Sequence, residues 1–163
     1  MSDASKVCAF FLEGRLFGVD VDQVQEVIRY QEMTRVPLAP DVVGGLINLR
    51  GQIVTAIDLR RRLGLGPLPA GKQPMNVVLR ADGGMVSLLV DEIAGVLELA
   101  NDVLEEPPAT LEGPRRALIQ GVYKLPGQLL LVLDAARATD IKGDVARSAK
   151  EKPREGGQGC VRL

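Results

Sequence analysis

The sequence predicts a mainly all-β protein of two lobes related by an internal repeat, each lobe a small barrel, with short helical segments between strands. Three observations carry this. Residues 44–60 read as strand, tight turn, strand: Leu46, Ile47 and Leu49 lead into Arg50-Gly51, and Ile53, Val54 and Ile57 lead out towards Asp58. Short apolar and β-branched runs broken by glycine mark a hairpin, and Gly51 accepts the positive φ that closes its turn. The pattern then returns, with Gly45, Leu49, Gly51, Gln52 and Asp58 matched by Gly121, Leu125, Gly127, Gln128 and Asp134, the signature of a repeat. Finally, hydrophobic content is 46% while aromatics are only 3%, so the interior is aliphatic.

In chain order, residues 7–12 form a strand that Gly14-Arg15 turns back into a second strand over 16–21. Asp22 then caps a helical turn in which Val24, Val27 and Ile28 share a face by i, i+3, i+4 spacing, although valine and isoleucine fit a strand equally well. Residues 35–40, with Pro37 and Pro40, make an extended connector, and Asp41 opens a brief helical turn before the central hairpin. The stretch 66–71, Gly-Pro-Leu-Pro-Ala-Gly, is the clearest linker in the body of the chain. Beyond it the first hairpin recurs over 77–91, turned at Gly83-Gly84. Asp91 lies 69 residues after Asp22, and Gly127 lies 76 after Gly51, so the second half carries about seven extra residues, placed in the Pro-rich loop 105–114. The expected division is a domain over 7–141, with lobe one about 15–70, lobe two about 71–141 and a first strand, 7–14, assignable to either. A polar tail over 142–163 has little to bury and is expected to be disordered.

Composition removes several function classes. The chain has 163 residues, a formal charge of -1 and no histidine, so it lacks the commonest general base and zinc ligand and has no electrostatic pull towards polyanions. Asp58 and Asp134 are repeat-related but lack the Thr-Gly or Ser-Gly of a carboxylate dyad, and local capping is the expected role. Asp20 with Asp22, and Asp91 with Glu92, gather no further oxygen ligands in sequence. No metal or other cofactor is expected. Arg50 with Arg60-Arg61-Arg62 suggests a basic patch, but three Phe and two Tyr, none interleaved with these arginines, leave a solvated basic face as the plainer reading. Cys8 and Cys160 are expected to be reduced thiols. The N-terminal residues lack a signal-peptide core, and no apolar run approaches the roughly 20 residues of a membrane span; a cytoplasmic location is expected. Apolar surface remains as the functional feature: Val24, Val27 and Ile28 in one lobe, and Ile93, Val96 and Leu97 in the other.

Residues 17–21 (Phe-Gly-Val-Asp-Val), 24–27 (Val-Gln-Glu-Val), 34–37 (Thr-Arg-Val-Pro), 45–51 (Gly-Leu-Ile-Asn-Leu-Arg-Gly), 57–60 (Ile-Asp-Leu-Arg) and 89–91 (Leu-Val-Asp) resemble the CheW family. These are coupling proteins of bacterial chemoreceptor arrays, and the resemblance covers about residues 7–141. It implies two SH3-like five-stranded barrels and no catalytic activity. It also implies a non-catalytic adaptor that joins the cytoplasmic helical hairpin of a methyl-accepting chemoreceptor to the regulatory domain of a CheA-type histidine kinase. The protein would be recruited to membrane-associated arrays without entering the membrane or binding nucleic acid. By the same resemblance the receptor groove comprises Val24, Val27, Ile28, Arg50, Val86 and Val96, and the coupling or kinase side comprises Glu26, Gly45, Asn48 and Gly51. An ion pair between Glu26 and Arg50 is implied. Two positions depart from the pattern: Thr55 stands for a frequent proline, and Ser87 for a glycine, which would put a small side chain near the groove. The alternatives are a kinase-binding scaffold without receptor contact and a small β-barrel nucleic-acid-binding protein.

Overall fold

Each hairpin expected from the repeat is present in the computed structural model, which describes residues 5–81, 84–99, 104–109, 111 and 113–140. The tail expected over 142–163 and Cys160 lie outside the described residues. Ten strands are formed among the described residues: β1 (Ser5–Leu12), β2 (Arg15–Asp20), β3 (Val24–Ile28), β4 (Val43–Leu49), β5 (Gln52–Asp58), β6 (Met75–Ala81), β7 (Gly84–Val90), β8 (Glu92–Leu99), β9 (Ile119–Leu125) and β10 (Gln128–Leu133). Three short helices, α1 (Leu59–Arg62), α2 (Pro114–Leu118) and α3 (Ala135–Thr139), punctuate them.

The strands make two five-stranded sheets, ordered β8-β1-β2-β10-β9 and β3-β6-β7-β5-β4. The second order is the first with every strand replaced by its repeat equivalent, so the repeat is a true structural pseudo-symmetry. Equivalent residues keep equivalent registers. Phe17 faces Leu131 where β2 runs parallel to β10, and Val86 faces Thr55 where β7 runs parallel to β5. Isolated bridges Thr34–Leu46 and Glu105–Val122 are likewise related.

The sheets do not divide at residue 70. Each takes the opening hairpin of one half and the third strand and closing hairpin of the other. The reason lies in two very short links. Only the 3-10 turn Val21–Gln23 separates β2 from β3, and only Asp91 separates β7 from β8. Such links bend a strand but do not bring it back beside its predecessor, so the chain continues into the opposite sheet.

Local expectations were corrected in the same region. Residues 24–28 are a strand, not a helical turn, because β3 gains a ladder partner in β6, with Val27 opposite Val77. The capping carboxylate is Asp20 rather than Asp22: its Oδ1 accepts from Asp22 N–H at 2.9 Å. Asp41 and Val42 form only a turn, closed by Val43 N–H to the Pro40 carbonyl at 2.9 Å. Asp58 and Asp134 do end their strands as expected, accepting from the N–H groups of Arg60 and Arg61, and of Arg137.

Three apolar clusters follow the two-sheet plan. One draws only on the β1-containing sheet and the strands beside it (Val7, Leu16, Tyr123, Leu130), and one only on the other (Ile47, Val54, Val78, Leu89). The largest is shared, joining Phe10, Val19 and Leu133 to Ile57, Leu79 and Leu88. This is the seam that two lobes of marginal size require. Cys8 is buried in it, and burial pushes its thiol pKa up, which keeps it unreactive.

A part-buried ion pair ties the sheets together. Arg60 donates from Nε to Asp91 Oδ1 (2.7 Å) and from Nη2 to Asp91 Oδ2 (2.6 Å), while its Nη1 serves the carbonyls of Gly66 and Pro67. Asp91 also accepts from Glu13 N–H at 2.9 Å. Thus the link between β7 and β8, the β1–β2 turn, α1 and the Gly-Pro linker meet at one ion pair. The expected solvated basic face holds for Arg61, whose side chain is 58% exposed, and is corrected for Arg60 and Arg62. Arg60 is buried, Arg62 donates to the Arg137 and Asp140 carbonyls, and Arg61 pairs with Asp58 at 3.5 Å.

Two predictions follow from this frame. A chain cut between Ala70 and Gly71 should give halves that do not fold alone, since each sheet needs strands from both, but that regain β circular dichroism when mixed. Separate folding of either half would contradict the interleaved topology. For Asp91, burial raises the carboxyl pKa, but the hydrogen bonds from Arg60 and Glu13 N–H and the guanidinium charge outweigh it and hold the group below the ordinary carboxylate range. Its stabilisation is therefore present above the unfolded pKa, about 3.9, and is lost as pH falls through the lower folded value. Asp91→Asn should cost about 3–5 kcal/mol at pH 7 by leaving Arg60 buried without its counter-charge. It should also flatten the acid limb in urea titrations run from pH 7 to pH 2.

Candidate functional site

The β4–β5 turn is the most specific local construction on the surface. Arg50 and Gly51 both take positive φ, +52° and +86°, the geometry of a two-residue hairpin turn that follows the twist of its strands. Asn48 Oδ1 accepts from Gly51 N–H at 2.8 Å and fixes the turn from below. In the equivalent turn Pro126 replaces Arg50, and a proline ring forbids that φ.

Glu26, on β3, forms an ion pair with Arg50. The two belong to opposite margins of one sheet, since β3 and β4 are its edge strands. Curling of the sheet brings these margins together, and the pair clasps them. The Arg50 side chain stays 71% exposed while the Glu26 side chain is 23% exposed, so the clasp remains open to solvent. The repeat-equivalent positions are Pro126 and Gly95, so the other lobe has no counterpart.

Gly45 sits under a crossing strap. Thr34 and Leu46 exchange both backbone hydrogen bonds, at 2.9 and 2.8 Å. A Cβ at Gly45 would lie 2.8 Å from the Thr34 carbonyl oxygen, and one at Gly121 would lie 2.7 Å from that of Glu105. The identity of these two glycines across the repeat thus has one steric cause: each lets a strap lie against an edge strand.

Beside Arg50, the five apolar groove positions separate into two groups. Val24 and Val86 pack against the shared core and Ile28 against the cluster of its own sheet. Val27 and Val96 are repeat equivalents, 37% and 59% exposed, on the edge strands β3 and β8 of the two sheets. Strand alternation explains the split, because successive residues point to opposite faces. The helical face shared by Val24, Val27 and Ile28 does not exist.

Ser87 is also corrected. It is fully buried, and its Oγ donates to Asn76 Oδ1 at 2.7 Å, while Asn76 Nδ2 donates to the Arg29 carbonyl at 3.2 Å. It lines no groove. The equivalent pair in the other sheet is Gly18 with Val7, where a Cβ at residue 18 would collide with Val7 Cγ1. The interior keeps either a glycine against a valine or a serine bonded to an asparagine. The sequence signal was available in the repeat alignment, since Asn76 falls on Val7 as Ser87 falls on Gly18.

Comparison with known proteins agrees with this architecture. The CheW-like domain family matches residues 6–142. The chain is 29% identical over 133 residues to the chemotaxis protein CheW of Treponema pallidum, covering 79% of this chain and 78% of that one. It is 30% identical over 137 residues to the chemotaxis protein CheW of Thermotoga maritima, covering 82% and 89%. The crystal structure of the scaffolding protein TtCheW from Thermoanaerobacter tengcongensis superposes with a TM-score of 0.74 at 26% identity, over 86% of this chain and 96% of that one.

Ser87→Ala should destabilise the protein by about 1–3 kcal/mol in denaturant unfolding, because it leaves Asn76 Oδ1 buried without its donor. Ser87→Ala with Asn76→Val should recover part of that loss, by analogy with the Val7 environment.

With the interleaved sheets, the Asn48–Gly51 turn and a family match spanning nearly all described residues, the chain belongs to the CheW family.

Proposed function

We propose that the protein is a non-catalytic cytoplasmic adaptor that couples the helical cytoplasmic tip of a chemoreceptor to the regulatory domain of a CheA-type histidine kinase. The observation that carries this reading is the Arg50–Glu26 clasp. It places an exposed arginine side chain on a rigid turn inside the family's most specific sequence motif, and only in one lobe. Val27 and Val96 supply apolar edge-strand surface of the kind a receptor helix would cover. Glu26, Gly45, Asn48 and Gly51 set the shape of the coupling surface rather than its apolar area. No described helix is long and apolar enough to cross a membrane, in keeping with recruitment to membrane-associated arrays through the receptor. Contacts of this type bury modest areas, often below about 1,200 Å², and an array multiplies them through effective concentration.

The test is ATP-driven autophosphorylation of the cognate kinase with receptor-bearing membranes, with and without this protein. Receptor-dependent activation only in its presence is the expected result. No activation despite direct kinase binding would leave a scaffold without a receptor, and binding to neither would refute the reading. Arg50→Ala should change stability by no more than about 1 kcal/mol, the usual worth of an exposed pair, and should lower activation. A variant that fails to fold would make Arg50 structural.

A further inference from the structure

Among the described residues three polar side chains are buried, those of Arg60, Asn76 and Ser87. Arg60 is taken up by Asp91 and the linker carbonyls. Asn76 and Ser87 are fully buried and bonded to each other. Burying two polar groups costs desolvation that an apolar pair avoids. The equivalent positions in the other sheet, Val7 and Gly18, show that the fold itself does not demand them. A satisfied buried polar network fixes one particular geometry, and the geometry fixed here is that of β3.

The donors run in one direction. The Ser87 hydroxyl occupies Asn76 Oδ1, and Asn76 Nδ2 then donates to the carbonyl of Arg29, the residue just past the end of β3. At the opposite end Arg80 Nη1 donates to the Asp22 carbonyl at 2.6 Å, in the 3-10 turn that leads into β3. Asn76 and Arg80 both belong to β6, so one strand ties down both ends of its neighbour.

β3 has reason to need such ties. It is five residues long, none of them buried, and its ladder with β6 shifts register between Val24 and Glu26. Its repeat equivalent β8 has eight residues and ends in the buried Leu99. The start of β8 is anchored by Asp91 N–H on the Phe11 carbonyl at 3.1 Å. The residues of β1 equivalent to Asn76 and Arg80 are Val7 and Phe11, whose side chains carry no hydrogen-bond donor.

We propose that Asn76 and Arg80 are positioning residues that hold the short edge strand β3 in place, with Ser87 orienting the Asn76 amide. β3 carries Glu26 and Val27, so the two tethers set the position of the surface assigned above to coupling. That consequence rests on the proposed adaptor role, whereas the tethers stand on the fold alone.

Residue-resolved amide hydrogen exchange, with β8 as the internal reference, tests the tethers. Ser87→Ala with Asn76→Val removes both members of the buried pair. It should speed exchange over residues 24–29 by roughly two- to tenfold, the effect of one lost hydrogen bond. Arg80→Ala, at an exposed position, should speed exchange at residues 22–24 and decides alone if the double variant does not fold. Exchange over residues 92–99 should not change, and receptor-dependent kinase activation should fall in each folded variant. Equal acceleration of β3 and β8 would make the buried pair a matter of general stability, and no acceleration at β3 would show that it needs no tether. Either result overturns the proposal. Loosening of β3 with full activation would overturn the positioning role. If the unsubstituted protein gives no activation, the adaptor role fails, while the exchange comparison still decides the tethers.

Discussion

Two parallel strand pairings, β2 with β10 and β5 with β7, hold the molecule in its shape. Each joins a hairpin from one half of the chain to a hairpin from the other. Parallel neighbours need long connections, and here residues 59–83 separate β5 from β7 while residues 21–127 separate β2 from β10. Neither half can complete a sheet alone, so the two lobes are a single cooperative unit whatever their outlines suggest. Folding must therefore wait for contacts between residues far apart in sequence, which is the slow route for a β protein.

The Arg60–Asp91 pair stands at the point where this weave is tightest. One residue, Asp91, spans the step from β7 to β8, and its carboxylate answers both a guanidinium and a backbone N–H from the opposite sheet. A part-buried ion pair of this sort contributes little net stability against an apolar substitute. Its value here is geometric: it sets how a strand bends from one sheet into the next. The same guanidinium captures the Gly66 and Pro67 carbonyls, so the linker is anchored before it enters β6.

Against this symmetric frame the asymmetric positions stand out. Gly45 and Gly121, and Asp58 and Asp134, serve the same structural purpose in both halves. Arg50 and Glu26 face Pro126 and Gly95 across the repeat. Packing explains what is shared between halves, and what is unshared and exposed is where partner recognition is to be sought.

Sequence alone determined the hairpins, the repeat and the strand-ending role of Asp58 and Asp134, because these depend on neighbours within a few residues: glycine at a turn, alternating apolar residues along a strand, an aspartate at a strand end. It also made the Arg50–Glu26 pair an expectation through family resemblance. It did not determine which strand joined which sheet. Residues 24–28 suited a helix or a strand by local preference, and only the vacant edge of β6 decided between them. Ser87 looked like surface and is core, since its partner Asn76 lies across a strand pair. Arg60 looked like one of three solvated arginines, and only the bend at Asp91 drew it inside. These outcomes turn on contacts between residues distant in the chain, where no local pattern carries the information and tertiary packing alone supplies it.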